Sequence, residues 1–144
     1  MDLQEYLNFA DENPMCSIAT VDGDQPHVRT IRMERADETG FYFTLVRSKK
    51  MYSQVCANPK VEICFFNHNT DKSQSRQMRL TGLLEEIDDP EMLEKAYYSR
   101  KILEQNLGKP LKPLLATFRL SHGDLHFWTF ANAMREESIE HVTF

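Results

Sequence analysis

The order of apolar and polar residues predicts mostly short strands, with helices between some of them. Residues 2–12 are the first exception, because apolar residues recur there at helical spacing behind the capping-box pair Asp2 and Glu5. Later segments have the β-prone runs and polar breaks of strands joined by turns. We predict strands at residues 15–21, 27–34, 40–46, 61–66, 76–87, 114–120, 125–130 and 140–144. Gly82 predicts a bulge or bend inside one of them.

Two further helices are predicted within this strand pattern. Ser48 is placed to cap a helix over residues 49–57, which an Asn-Pro pair ends. Another helix begins after the Asp-Pro pair at residues 89–90 and reaches about Gly108. The hairpin-rich order favours a mainly β, antiparallel fold with added helices, in a single domain over residues 1–144.

The composition is typical of a globular domain in water. Hydrophobic residues make up 41% and charged residues 27% of the chain, and the net charge of −5 argues against a general nucleic-acid binder. The three cysteines, Cys16, Cys56 and Cys64, lack zinc-ligand spacing and are expected to be reduced. The N-terminal residues are acidic and the chain has no long apolar run. We therefore predict no signal peptide and no membrane span. We therefore expect a cytoplasmic protein.

The densest group of cations in this acidic chain predicts an anion site. It consists of Arg29, Arg32, Arg47, Lys49 and Lys50. The two lysines start a predicted helix, where the helix dipole disfavours positive charge by about 0.3–1 kcal/mol. A phosphate bound by the helix N–H groups and the lysines would make this arrangement favourable. The alternative is that both lysines are solvated and tolerate the penalty.

The remaining polar candidates indicate binding more than catalysis. Gln77 shares a polar strand face with Arg79 and Thr81, and its amide suits the edge of a heteroaromatic ring, although a solvated face gives the same pattern. Trp128, the only tryptophan, is either a core residue or a ligand platform. No catalytic residue is identified, and no metal ligand is predicted, since the histidines lack helical metal-site spacing. Three histidines expected on the surface are His68, His122 and His126.

Five segments, in this order and spacing, carry a resemblance to a known family. They are Pro-His-Val-Arg-Thr-Ile-Arg-Met at 26–33, Gly-Phe-Tyr-Phe-Thr at 40–44, Ser-Lys-Lys at 48–50, Asn-Pro-Lys-Val-Glu-Ile-Cys-Phe-Phe at 58–66 and Arg-Gln-Met-Arg-Leu-Thr-Gly at 76–82. With them the chain resembles the pyridoxamine 5′-phosphate oxidase-like, FMN-binding split-barrel family, over most of its length from about residue 3 to residue 130. It is most similar to the small, single-domain members.

This resemblance implies a six-stranded antiparallel split β-barrel of Greek-key type with flanking helices. It also implies a homodimer with two FMN sites at the subunit interface. The residues that it places at the cofactor are Arg29, Thr30, Ile31, Arg32, Phe43, Thr44, Ser48, Lys49, Lys50, Gln77 and Trp128.

Each of these residues takes a role from the resemblance. The strand over residues 29–32 would run along the flavin, with Arg29 reaching the phosphate side, and residues 43–44 would line the site. Residues 48–50 would hold the 5′-phosphate. Gln77 would meet the polar edge of the ring, and Trp128 would approach from the other subunit.

The resemblance implies an FMN-dependent oxidoreductase that passes hydride between a small organic substrate or NAD(P)H and FMN. Residues 133–144 lack the Arg-Leu-His-type motif with which true pyridoxamine phosphate oxidases bind substrate, so vitamin B6 oxidation is not expected. The alternatives are FAD, a deazaflavin or haem as cofactor, and a non-catalytic binding, storage or sensor role. The acidic charge disfavours a third function, the binding of other chains or single-stranded nucleic acid by an aromatic barrel face.

Overall fold

The computed structural model describes residues 2–144, which form four α-helices and ten strands. The helices are α1 (Leu3–Glu12), α2 (Lys50–Ala57), α3 (Pro90–Arg100) and α4 (Leu103–Leu107). The strands are β1 (Met15–Asp22), β2 (Gln25–Arg32), β3 (Arg35–Asp37), β4 (Gly40–Val46), β5 (Lys60–Phe66), β6 (Arg76–Leu83), β7 (Glu85–Ile87), β8 (Leu115–Leu120), β9 (Gly123–Thr129) and β10 (His141–Thr143).

The strands pair into two antiparallel sheets. One has six strands in the order β10-β9-β6-β5-β1-β2, and the other has four in the order β3-β4-β8-β7. The prediction of a mainly β, antiparallel fold with helices is confirmed. The expected six-stranded barrel is not, because the pairing of residues 2–144 divides ten strands between two sheets and shows no closed barrel.

The hydrophobic core lies between the inner faces of the two sheets and beneath α1. Alternation along β1, β4, β5 and β6 turns every second side chain inward, as the period of a strand requires. Tyr6 of α1 stacks on Phe127 of β9 with ring centroids 4.4 Å apart, and both are buried. Asp2 caps α1 by accepting from the Gln4 N–H, as its position before the helix predicted.

Three predicted boundaries are wrong in ways that affect the site. Helix α2 starts at Lys50 and its N-cap residue is Lys49, which makes no side-chain capping bond, so Ser48 is not the cap. The predicted strand at 76–87 is two strands, because the chain leaves the six-stranded sheet after β6 and joins the other sheet as β7. The helix predicted from residue 90 to about Gly108 is also two, α3 and α4.

Gly82 lies in regular pairing with β5 and β9, so the predicted bulge is wrong. Instead, the missing side chain of Gly82 lets a neighbouring part of the chain come very close to β6. A Cβ atom at Gly82 would lie 2.7 Å from the His122 carbonyl oxygen and 2.8 Å from the Leu120 side chain. The glycine thus lets the β8–β9 turn pack directly on β6. Among residues 2–144, no helix has both the length and the hydropathy of a bilayer-spanning segment.

Candidate functional site

Strand β2 is the edge of the six-stranded sheet, and its side chains divide between the two faces of that sheet. Arg29 pairs with the buried Ile18 of β1, so it lies on the core side, together with the half-buried Ile31. Thr30 and Arg32 lie on the outer side and are exposed. The sequence prediction that the two arginines take opposite faces is confirmed.

Arg29 is held by a polar network that joins β1, β2 and α2. Its guanidinium donates to Thr20 Oγ1 and to Gln54 Oε1, each at 2.8 Å. The Thr20 hydroxyl also donates to Gln54 Oε1, at 2.7 Å. Thr20 and Gln54 are buried, and burial lowers the pKa of Arg29 from its usual value, although a guanidinium remains charged at neutral pH. Among residues 2–144 no carboxylate forms an ion pair with Arg29, so its charge is available to a ligand anion.

The start of α2 lies next to this network. Lys50 is four residues before Gln54, so both are on one face of the helix, a turn apart. Residues 48–50 are exposed, the first turn carries no acidic residue, and no side chain caps its N–H groups. The helix N-terminus thus combines free backbone donors, a positive dipole end and two lysines. Lys50 and Gln54 also line a surface cavity of ≈ 630 Å³ beside the β1–β2 turn.

Arg47 does not join this group. It makes an ion pair with Glu86, with Nη1 and Oε1 2.7 Å apart, and donates to the Tyr52 hydroxyl at 2.6 Å. Its charge is therefore already compensated within the fold.

Phe43 and Thr44 of β4 face opposite sides of the four-stranded sheet. Phe43 is fully buried in the core, so its ring is turned away from any surface ligand. Thr44 faces the other side, where its hydroxyl is buried, opposite the buried hydroxyl of Thr117 on β8. Neither hydroxyl has a hydrogen-bond partner. These two positions are not brought together with Arg29 by side-chain contacts.

Gln77 and Trp128 are direct cross-strand neighbours on the outer face of the six-stranded sheet. The Arg79 guanidinium lies over the Trp128 ring at 4.9 Å, and also donates to Gln77 Oε1 at 3.4 Å. The half-buried Cys64 on β5 contacts the same amide oxygen at 3.7 Å, and burial raises the pKa of its thiol. Trp128 is thus a half-buried surface residue and not part of the core.

The predicted site residues therefore form two separate groups in one chain. Arg29 and the start of α2 lie at the β2 edge, on the core side of the sheet. Gln77 and Trp128 lie on its outer side, three and four strands away, which corresponds to about 14 and 19 Å at the usual strand spacing. One ligand held at the β2 edge of a chain is therefore remote from the Gln77 and Trp128 of that chain.

A further polar cluster lies beside Trp128. Its indole N–H donates to His126 Nε2 at 3.2 Å, and the His126 ring stacks on His141 with centroids 4.3 Å apart. Asp124 Oδ1 is 2.7 Å from His141 Nδ1 and 3.6 Å from His126 Nδ1. Burial, together with the nearby His141, lowers the pKa of His126.

The family described as pyridoxamine 5′-phosphate oxidase matches residues 3–129. The chain belongs to this family. A pyridoxine/pyridoxamine 5′-phosphate oxidase from Brucella ovis is 33% identical over 109 residues, a match that covers 72% of this chain. The match covers 50% of that protein, so the chain spans about half the length of this curated relative.

Solved structures agree with this family assignment. A nimC/nimA family protein from Clostridium acetobutylicum superposes with a TM-score of 0.72 at 26% identity, over 99% of this chain and 93% of that one. An FAD-binding protein from Mesorhizobium loti has the same fold at a TM-score of 0.61 and 17% identity, over 84% of this chain and 89% of that one. The resemblance inferred from the sequence segments is thereby confirmed.

The sequence prediction did not include two residues of the Arg29 network, Thr20 and Gln54. Thr20 is a polar residue at an inward position of β1, between apolar ones, and that irregularity was a detectable signal. Gln54 repeats the face of Lys50 one helical turn later, which was also detectable. The Asp124, His126 and His141 cluster depends on the pairing of β9 with β10, which sequence spacing does not reveal.

Proposed function

We propose that this protein is a homodimeric FMN-binding protein and works as a flavin-dependent oxidoreductase. The observation that carries the proposal is the uncapped start of α2, where Lys49 and Lys50 stand without an acidic neighbour in the turn, next to Arg29. This concentration of positive charge in an acidic protein suits a doubly negative phosphate.

The residues at the β2 edge fit the phosphate end of the cofactor. The α2 N–H groups and the Ser48 hydroxyl would donate to its oxygens, and the two lysines would neutralise its charge. Arg29 would add a fixed donor, because Thr20 and Gln54 already orient its guanidinium. Thr30, Ile31 and Arg32 would then run beside the flavin through the β2 backbone.

The ring end would be completed by a second subunit. Gln77 offers both a donor and an acceptor to the polar edge of the isoalloxazine, and Trp128 offers an aromatic surface. Both lie about three or four strand spacings from the β2 edge of their own chain. A site that uses both groups therefore has to take them from different chains.

The outer face of the six-stranded sheet supports such a dimer. Met15, Val28 and Leu83 project from this face and are 50%, 71% and 54% exposed. The half-buried Phe66 and Trp128 lie on the same face. Large apolar side chains gathered on one face of a sheet favour burial against a partner, and a second copy of this chain would also complete the flavin site.

Bound FMN would supply the hydride chemistry, and the chain's own residues would bind and orient it. The candidate site offers cations, a hydroxyl, an amide and an indole, which can bind and position a cofactor. The substrate would be a small organic molecule or a nicotinamide.

A non-catalytic storage or sensor role is the second candidate. The half-exposed imidazole of His141 on the outer face favours haem as its ligand, since imidazole is a common haem ligand. FAD or a deazaflavin would instead use the same β2 edge as FMN.

The deciding experiment compares FMN with riboflavin, which lacks the phosphate. We expect the purified protein to bind FMN at least about 100-fold more tightly, because two charge-assisted hydrogen bonds at a net value of about 1.5 kcal/mol each contribute roughly 3 kcal/mol. In Lys49→Glu/Lys50→Glu the preference should disappear, and in the matched control Lys72→Glu/Lys109→Glu, two exposed lysines outside the sheets, it should persist. Equal affinity for the two flavins in the native protein would refute the phosphate site.

The same sample distinguishes an enzyme from a carrier. Anaerobic NADH, NADPH or pyridoxamine 5′-phosphate should bleach the flavin absorbance if the protein is an oxidoreductase. A flavin that stays oxidised with all three donors would favour storage or sensing. A Soret band after incubation with haemin, with no flavin bound, would favour the haem alternative.

A further inference from the structure

The pairing of β9 with β10 creates a cluster of three side chains of metal-binding types, next to Trp128 and away from the proposed flavin phosphate site. His141 is the direct cross-strand partner of His126, and Asp124 is two residues before His126 on the same face of β9. Their ligand atoms all lie within 4.8 Å of one another. Two imidazoles and one carboxylate are a donor set that suits zinc and its neighbours among the divalent transition metals.

The distances within the cluster bring its ligand atoms near the spacing of a metal site. Tetrahedral zinc with bonds of about 2.0–2.1 Å holds its ligand atoms about 3.3 Å apart. Asp124 Oδ1 lies 3.6 Å from His126 Nδ1, slightly wider than this spacing, and 2.7 Å from His141 Nδ1, slightly closer. An imidazole binds a metal in its ring plane, so metal binding would require the half-exposed His141 ring to rotate out of its stack on His126 and the Asp124 carboxylate to turn towards the metal.

One atom of the cluster lacks a partner. His126 Nδ1 is buried and makes no hydrogen bond, since 3.6 Å to the carboxylate is too long for one. Buried polar atoms in native proteins are nearly always satisfied, so this nitrogen, beside a carboxylate and a second histidine, is a position where a metal could take the place of the imidazole proton. The His141–Asp124 hydrogen bond alone would explain the position of β10, but it leaves this nitrogen unexplained.

We propose that Asp124, His126 and His141 bind a divalent transition metal such as Zn²⁺. His141 and Asp124 are half-exposed and one-third exposed, so the metal would reach the site from solvent and keep one open coordination position. The site lies at the β10 edge of the sheet, at the opposite end from β2, and it is independent of the proposed flavin phosphate site.

Metal binding has a specific consequence for Trp128. The indole N–H now donates to His126 Nε2, so the imidazole proton is on Nδ1. A metal at Nδ1 displaces that proton, and a neutral imidazole would then carry its N–H on Nε2, facing the indole N–H. Two donors cannot satisfy each other, so the Trp128 hydrogen bond must break. Since Trp128 is the only tryptophan, its indole N–H resonance reports this change alone.

The test is a titration of the EDTA-treated full chain with ZnSO₄, followed by calorimetry and by the indole resonance. We expect one Zn²⁺ per chain and a shift of the single indole N–H signal. Asp124→Asn and His141→Ala should each weaken binding by at least about 100-fold, since loss of an outer-shell partner alone costs 10–100-fold. Zn²⁺ should raise the melting temperature of the native protein by mass action, but not that of the variants.

Two controls exclude other zinc ligands. His27→Ala removes a histidine on β2, and Cys56→Ser removes the exposed thiol, and both should keep native affinity. If His141→Ala loosens β10, the isosteric Asp124→Asn still tests the site, because it should leave the fold intact. Absence of zinc binding, equal binding by the Asp124→Asn variant, or loss of binding in Cys56→Ser would each overturn the proposal.

Discussion

At the scale of single residues, one amide oxygen organises the β2 edge. Gln54 Oε1 accepts from both Thr20 and Arg29, so the position of the guanidinium depends on a side chain of α2. The group is buried or half-buried, and buried donors that lose their acceptor carry the full cost of desolvation. Gln54 is therefore a positioning residue for Arg29.

We predict that Gln54→Ala lowers the free energy of unfolding by about 2 kcal/mol, because it leaves two buried donors with a poorer set of acceptors. Ser53→Ala is the matched control on the adjacent, exposed position and should change the value by less than about 0.5 kcal/mol. Urea unfolding of the apoprotein measures both. Equal stability of Gln54→Ala and the native chain would show that the network contributes nothing to the fold.

At the scale of elements, α2 has a charge pattern that is unfavourable for the isolated helix. Lys49 is its N-cap and Lys50 its first residue, with no carboxylate in the first turn. The dipole penalises each cation there, so we expect the two lysines to reduce the stability of the apoprotein, a cost that the proposed anion would offset.

The helix dipole should give the Lys49→Glu/Lys50→Glu variant opposite effects on the stability of the apoprotein and on FMN binding. Lys49→Glu/Lys50→Glu should raise the free energy of unfolding of the apoprotein by about 1 kcal/mol, since glutamates suit a helix N-terminus. The control Lys72→Glu/Lys109→Glu, at two exposed positions, should change it by less than about 0.5 kcal/mol. Denaturant unfolding without flavin checks this, and a destabilised Lys49→Glu/Lys50→Glu apoprotein would contradict the assigned role of the helix end.

The start of α2 also shows what sequence reasoning captures and what it misses. The helix and the lysines follow from local pattern, because capping residues and dipole effects act within one turn. Ser48 was assigned the cap in error, since the helix begins one residue later than the pattern suggested. Phe43 illustrates another limit: a β-prone residue in a matched segment can be fully buried, and only the packing of the two sheets determines that.

At the scale of the whole molecule, the strand order of the six-stranded sheet determines which candidate site residues can meet within one chain. The sequence order predicted antiparallel hairpins, but not that residues 76–87 divide between two sheets, because that division depends on long-range pairing. The same topology separates the β2 edge from Gln77 and Trp128. The cluster of Asp124, His126 and His141 likewise exists only because β10 returns to pair with β9.

The central claim is that each flavin is shared between subunits, and paired heterodimers test it directly. In a trans heterodimer, one chain carries Lys49→Glu/Lys50→Glu and the other carries Gln77→Ala/Trp128→Ala. In a cis heterodimer, one chain carries all four changes and the other is native. The two chains carry different tags, so each heterodimer can be purified and its bound FMN counted.

A shared site predicts one FMN in the trans heterodimer. In one of its two sites, the native Lys49 and Lys50 of one chain meet the native Gln77 and Trp128 of the other. The cis heterodimer should bind none, since every site then contains a variant half. The reverse result, no FMN in trans and one in cis, would show that each site is built within a single chain and would contradict the account.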